Sequence, residues 1–217
     1  MADRAPATPA NETRRLQMLR AAAELIAERG FGETRIADVA KRADVSSALV
    51  IYYFGTRDRL LVDALRYSEQ NFYDAAEKML AEVTSVRERL ALLVRWTCVP
   101  QNDGDIPGAW GLWFDLWAQA FRHPEVKQDH VELDARWRTM IVDIVKAAQA
   151  DGSVAAKGPG KVDAQRFAIT FSALLDGLSI QVALEDPSVT PDDAYRIAMS
   201  FAERELGLPP ERRRRAR

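Results

Sequence analysis

The chain is poor in the residues that build stapled, metal-bound or membrane-spanning structures. Among 217 residues there is one cysteine, Cys98, so neither an internal disulfide nor a cysteine-rich metal site can form. The two histidines, His123 and His130, share no partner at ligand spacing, and no metal is expected. Eleven glycines and ten prolines are too few for a collagenous or linker-dominated chain, and 47% hydrophobic residues are too many for intrinsic disorder. No apolar run approaches the roughly 20 residues of a membrane span. The stretch Phe167–Leu175 is broken by Asp176. The first ten residues hold no apolar segment after Arg4, which argues against an export signal and predicts a cytoplasmic protein with no membrane partner.

Enzyme signatures are absent too. Gly158-Pro-Gly-Lys161 has the look of a phosphate loop, yet Ala155 stands where its first glycine is required and Val162 where Ser or Thr is required. There is no Gly-x-Ser-x-Gly elbow and no His-Glu-x-x-His zinc motif. Neither a catalytic residue nor a cofactor is expected.

What is present is charge, unevenly spread, and helical periodicity. Residues 1–66 hold 11 Lys/Arg against 9 Asp/Glu, residues 67–210 hold 14 against 22, and residues 211–217 hold 5 against 1. A weakly basic N-terminal unit on an acidic body fits a modest nucleic-acid-binding domain joined to a non-binding one. From Glu12 to Arg29 the apolar Leu16, Leu19, Ala23 and Ile26 recur at helical spacing, and Gly30 supplies a C-cap. Thr34 is expected to cap a short helix carrying Ile36, Val39 and Ala40 inward. A break at Ala43-Asp44-Val45 follows, and Ser46 or Ser47 opens a second short helix through Tyr53. Asp44 falls at the turn, where φ is often positive. Two short helices joined by about three residues have the shape of a helix-turn-helix. Thr56 then caps a long helix over 57–81. The punctuation predicts five more, over 86–98, 107–121, 124–150, 163–185 and 191–206.

The segment Thr34-Arg-Ile-Ala-Asp-Val-Ala-Lys-Arg-Ala-Asp-Val-Ser-Ser-Ala-Leu-Val-Ile-Tyr-Tyr-Phe54-Gly-Thr-Arg-Asp-Arg-Leu-Leu61 resembles the DNA-binding signature of the TetR family of bacterial transcriptional regulators, a likeness covering about 50 residues from Arg14 to Leu65. It departs from the family where glycine is usual at Asp44 and tyrosine is common at Ile51. The resemblance implies a three-helix DNA-binding domain over residues 1–56, with 1–11 disordered, an effector and dimerisation domain over 57–210, and a basic tail over 211–217. The whole is an all-α fold of about nine helices. It assigns DNA contacts to Thr34, Arg35, Ser46, Ser47, Ala48, Leu49, Tyr52, Tyr53 and Arg57. Thr34 and Arg57 are expected at phosphates. Ser46–Phe54 contains no Lys, Arg, Asn or Gln, the side chains that grip guanine and adenine bidentately. Base reading is therefore expected from hydroxyls, the Tyr52 ring and apolar contacts of Ala48 or Leu49 with thymine methyls, with moderate specificity.

More loosely, Trp113-Phe-Asp-Leu-Trp117, His123-Pro-Glu125 and Arg136-Trp-Arg138 resemble the choline-responsive BetI-type subgroup, which implies a helical ligand-binding domain but no particular ligand. Trp96, Trp113, Phe114, Trp117, Trp137, Phe171 and Asp176 form a candidate pocket for a bulky apolar or cationic effector, against the plainer reading of core packing. Asp176 needs a partner, with Arg136, Arg138, Arg166, a ligand cation or a mate chain as alternatives. Phe167, Phe171, Leu174, Leu178, Ile197 and Phe201 are candidates for a two-fold dimer interface, against burial within one subunit. The reading is a homodimeric regulator, a repressor released from a palindromic operator by a small molecule. The alternatives are a helical carrier or enzyme on the same fold, and an interaction adaptor.

Overall fold

The computed structural model describes residues 9–99, 110–121, 124–158 and 160–209. Among them are nine helices and no strand: α1 (Pro9–Arg29), α2 (Ile36–Arg42), α3 (Ser47–Phe54), α4 (Arg57–Ala81), α5 (Val86–Cys98), α6 (Trp110–Ala120), α7 (Pro124–Ala150), α8 (Ala164–Ala183) and α9 (Pro191–Leu206). The residues expected to be disordered lie outside this range up to residue 8, and helix α1 already begins at Pro9. The basic tail lies outside it as well.

Local chemistry accounts for most boundaries. Ser46, not Ser47, caps α3, its hydroxyl accepting from Leu49 N–H at 3.2 Å. Thr56 does the same for Arg59 N–H at the start of α4. Asp163 caps α8 through Gln165 and Arg166 N–H. Thr190 and Asp193 close a reciprocal capping box around Pro191 at the start of α9. Asp44 takes φ 53° in the turn between α2 and α3. Glu185 also has a positive φ, 54°, and it ends α8 two residues before Pro187.

The described residues fall into two compact units, Met1–Asp74 with Ala109–Val131, and Ala75–Gly108 with Glu132–Arg217. The start of α4, near residue 56, lies inside the first of these units. Asp63 of α4, largely buried, pairs with Arg15 of α1 at 2.9 Å and with Arg59 at 3.2 Å, and α6 packs on α1.

In the first unit α1 packs on α2 and α2 on α3, around Leu19, Ala22, Ile26, Val39, Val50, Phe54, Leu60 and Leu61. Leu16, expected in the buried stripe of α1, is 42% exposed. In the second unit α5 packs on α8 and α9, and α8 packs on α9. Its core holds Leu90, Leu93, Val94, Leu175, Ala198 and Ala202. Burial pushes the Cys98 thiol up to about 11, so it is a packed, unreactive group. No helix among the described residues is long and apolar enough to cross a membrane.

Candidate DNA-binding surface and effector site

Helix α3 divides sharply. Val50 and Phe54 are buried, Leu49 and Tyr53 are half-buried, and Ser46, Ser47, Ala48, Ile51 and Tyr52 are exposed, with Tyr52 at 77%. The exposed residues recur at i, i+3 and i+4, so they form one stripe, and the opposite face anchors the helix to the unit's core. Tyr53 packs edge-on to Tyr52 at 5.6 Å, steadying a ring that otherwise faces solvent.

Two residues expected at phosphates make contacts within the subunit. Thr34 is fully buried, and its hydroxyl donates to Gly30 O at 2.9 Å. It fixes the loop between α1 and α2, and Arg35 rather than Thr34 occupies the cap position of α2, with no side-chain cap bond. The Arg57 guanidinium is likewise engaged inside the subunit. It donates through Nε to Thr34 O at 2.8 Å and through Nη2 to Gly32 O at 2.8 Å and to Phe31 O. It also lies over the Phe31 ring and pairs with Asp58. Both residues hold the loop, which the sequence spacing could not distinguish from holding DNA. Arg42 is committed as well, in a two-pronged pair with Glu28 at 2.8 and 2.9 Å and a contact to Glu24. Arg14, Arg35 and Lys41 are exposed and make no side-chain hydrogen bond or ion pair among the described residues, which leaves them available to phosphates.

The loop Gly30–Thr34 is gripped from a second direction. Asp115 of α6 accepts Phe31 N–H at 2.7 Å, a contact spanning 84 positions of sequence. Phe31 therefore has its N–H held by α6 and its C=O held by α4. Gly30 lies at φ +85°, and a Cβ there would come within 3.2 Å of the Asp115 carboxylate. Glycine is required at this place for both reasons.

Asp115 shares α6 with several aromatic side chains. Phe114 and Trp117 meet at 5.8 Å, Trp117 and His130 at 6.3 Å, and Phe72 of α4 packs edge-on to Trp113 at 6.2 Å. Glu69, one turn before Phe72 and Tyr73 on α4, is only 5% exposed. A carboxylate beside aromatic faces suits a cation. The Trp117 indole nitrogen is buried with no hydrogen-bond partner among the described residues. Sequence reasoning missed Glu69 because it lies in the polar run Ser68–Asn71, which reads as a solvent face. His130 was weighed only as a metal ligand.

The other expected pocket residues belong to the second unit and pack there. Trp96 is buried at 8% exposure, and Phe171 is fully buried, stacked on Phe167 at 5.2 Å and on Phe201 at 6.2 Å. Trp137 is half-buried. Asp176 is exposed overall and forms no ion pair, since Arg138 pairs with Asp134 and Arg136 with Glu77. Even so, desolvation of its carboxyl pushes its pKa up to about 6, with Asp134 adding like-charge repulsion and Arg138 opposing. Of the expected dimer residues, Phe171 is fully buried within the subunit, and Phe167 and Leu178 are each only 5% exposed. Leu174 and Phe201 are half-buried and Ile197 is 46% exposed. Beside them Ile169, Ile180 and Leu184 face solvent at 58%, 37% and 76%.

Comparison with known proteins agrees with this geometry. Residues 18–64 match the bacterial regulatory proteins of the tetR family, and residues 86–207 match the C-terminal domain of BetI-type transcriptional repressors. A similar relative is the HTH-type transcriptional regulator BetI of Rhizobium meliloti (strain 1021), 25% identical over 89% of each chain. Among solved structures, a transcriptional regulator from Saccharomonospora viridis in complex with choline superimposes with a TM-score of 0.75 at 28% identity, over 88% of this chain and 96% of that one. A TetR-family regulator from Rhodococcus sp. gives 0.72 at 29%, over 90% and 99%. With a BetI-type match over more than half its length and a tetR-family match over the helix-turn-helix, the chain belongs to the TetR family of DNA-binding transcriptional regulators, in its BetI-type branch.

Proposed function

We propose that this regulator is a cytoplasmic homodimeric repressor that binds a two-fold symmetric operator and is released by a small quaternary ammonium effector of the choline type. The observation that carries the effector reading is the buried Glu69 carboxylate on the α4 face that also bears Phe72, in a unit whose α6 and α7 contribute Trp113, Trp117 and His130. A methylated ammonium cannot donate hydrogen bonds, so it is recognised by aromatic faces and a nearby anion. The structural neighbour holds choline. The buried indole N–H of Trp117 offers a donor to the effector's oxygen.

Release follows from the contacts of α6. Phe114 and Trp117 lie in the aromatic cluster and Asp115, between them, holds the loop that leads into α2. An effector that favours a different setting of α6 shifts the population away from the DNA-binding form. For the dimer, we assign the mate-facing surface to Ile169, Leu174 and Ile180 of α8, Leu184 at its C-cap and Ile197 of α9, with Phe201 at its edge.

Calorimetric titration with choline and with its uncharged tert-butyl isostere tests the effector reading. Choline is expected to bind and the isostere to bind at least tenfold more weakly. Glu69→Gln should remove most of that difference, and equal affinity for the two compounds would contradict the cationic site.

A further inference from the structure

The stripe that α3 presents to DNA carries no charge. Ser47, Ala48, Ile51 and Tyr52 occupy its exposed face, and no charged residue, asparagine or glutamine occurs from Val45 to Thr56. The two arginines nearest the helix cannot substitute, because Arg57 is bound to the carbonyls of the α1–α2 loop and Arg42 to Glu24 and Glu28. Bidentate recognition of guanine or adenine is therefore not available to this helix. Ser46 is also spent, on the cap of α3, which leaves the Ser47 hydroxyl and the Tyr52 phenol as polar groups of the stripe. One feature of a base edge in the major groove matches an aliphatic surface, and it is the thymine C5-methyl.

We propose that Ala48 and Ile51 are the specificity-determining residues and that they read thymine methyl groups in each half-site. The inference rests on α3 being the recognition helix and deepens that reading. Ile51 is 49% exposed and lies one turn from Ala48, so their side chains form one apolar contact zone long enough for neighbouring base steps. Tyr52 stands beside it, and Arg14, Arg35 and Lys41 supply sequence-independent phosphate contacts.

The test uses the full-length protein and a duplex recovered by selection from a random library. Each thymine is replaced singly by uracil, which removes the methyl and nothing else, and affinity is read by fluorescence anisotropy. One or two thymines per half-site are expected to lose about three- to fivefold on this change, the fold-change of one buried methyl. With Ile51→Ala, the duplex with thymine and the duplex with uracil at the Ile51 position should bind equally. The proposal is overturned if every uracil substitution stays within about 1.5-fold, or if Ile51→Ala leaves the pattern of uracil sensitivity unchanged. Failure to enrich any symmetric motif would instead overturn the operator-binding reading beneath it.

Discussion

Arg57 is a residue of the right type in the right place whose guanidinium already has partners inside the subunit. Its position suits a phosphate, but its guanidinium is satisfied by the backbone of Phe31, Gly32 and Thr34. The two roles differ in their salt dependence. Each lost phosphate contact flattens the slope of log K against log salt by about 0.9, whereas a loop-holding residue weakens binding without changing that slope. Arg57→Gln is therefore expected to lower operator affinity with the slope retained, and a slope shallower by about 0.9 per subunit would return Arg57 to the phosphate. Thr34→Val should cost about 1 to 3 kcal/mol of stability in urea titration, because it leaves the Gly30 carbonyl without its partner in a buried place. Tyr52, exposed and outside the core, should give the converse behaviour: Tyr52→Ala weakens operator binding with stability unchanged within about 0.5 kcal/mol.

Among elements, α6 carries a contact that no local pattern announces. The Asp115 carboxylate on Phe31 N–H is charge-assisted and worth roughly 1.5 to 3 kcal/mol. Asp115→Ala is expected to accelerate hydrogen exchange at the Phe31 amide while leaving the α3 amides near Val50 protected. An unchanged Phe31 amide would show that α6 does not hold the loop. The helices themselves were legible in the sequence, since caps such as Thr190 with Pro191, and breaks such as Gly30 and Gly207, act through near neighbours in the chain. Asp115 and Glu69 were not, because their meaning comes from partners far along the chain. The cover over Phe171 is also beyond local pattern: apolar periodicity marks a covered face but not whether the cover comes from the same subunit or another.

For the whole molecule, a charge at the exposed Ile180 or Ile197, both on the proposed mate-facing surface, is expected to oppose dimerisation. Ile180→Glu or Ile197→Glu should yield a folded monomer in light scattering that binds a half-site far more weakly than the dimer binds its operator. Stability should also depend on pH through Asp176. Its folded pKa, about 6, lies above the ordinary 3.8, so the folded chain binds the proton more tightly. The associated stabilisation is complete below about pH 4 and is lost as pH rises through about 6. Asp176→Asn is thus expected to raise Tm at about pH 7.5 and to leave it unchanged near pH 4.

Sequence-specific binding by a helix with no charged side chain is the central expectation. Selection of bound fragments from random DNA, repeated at two salt concentrations, measures this directly. A two-fold symmetric motif rich in thymine within each half-site, retained at the higher salt with reduced affinity, is the result expected. Salt-sensitive recovery of DNA without any motif would contradict it.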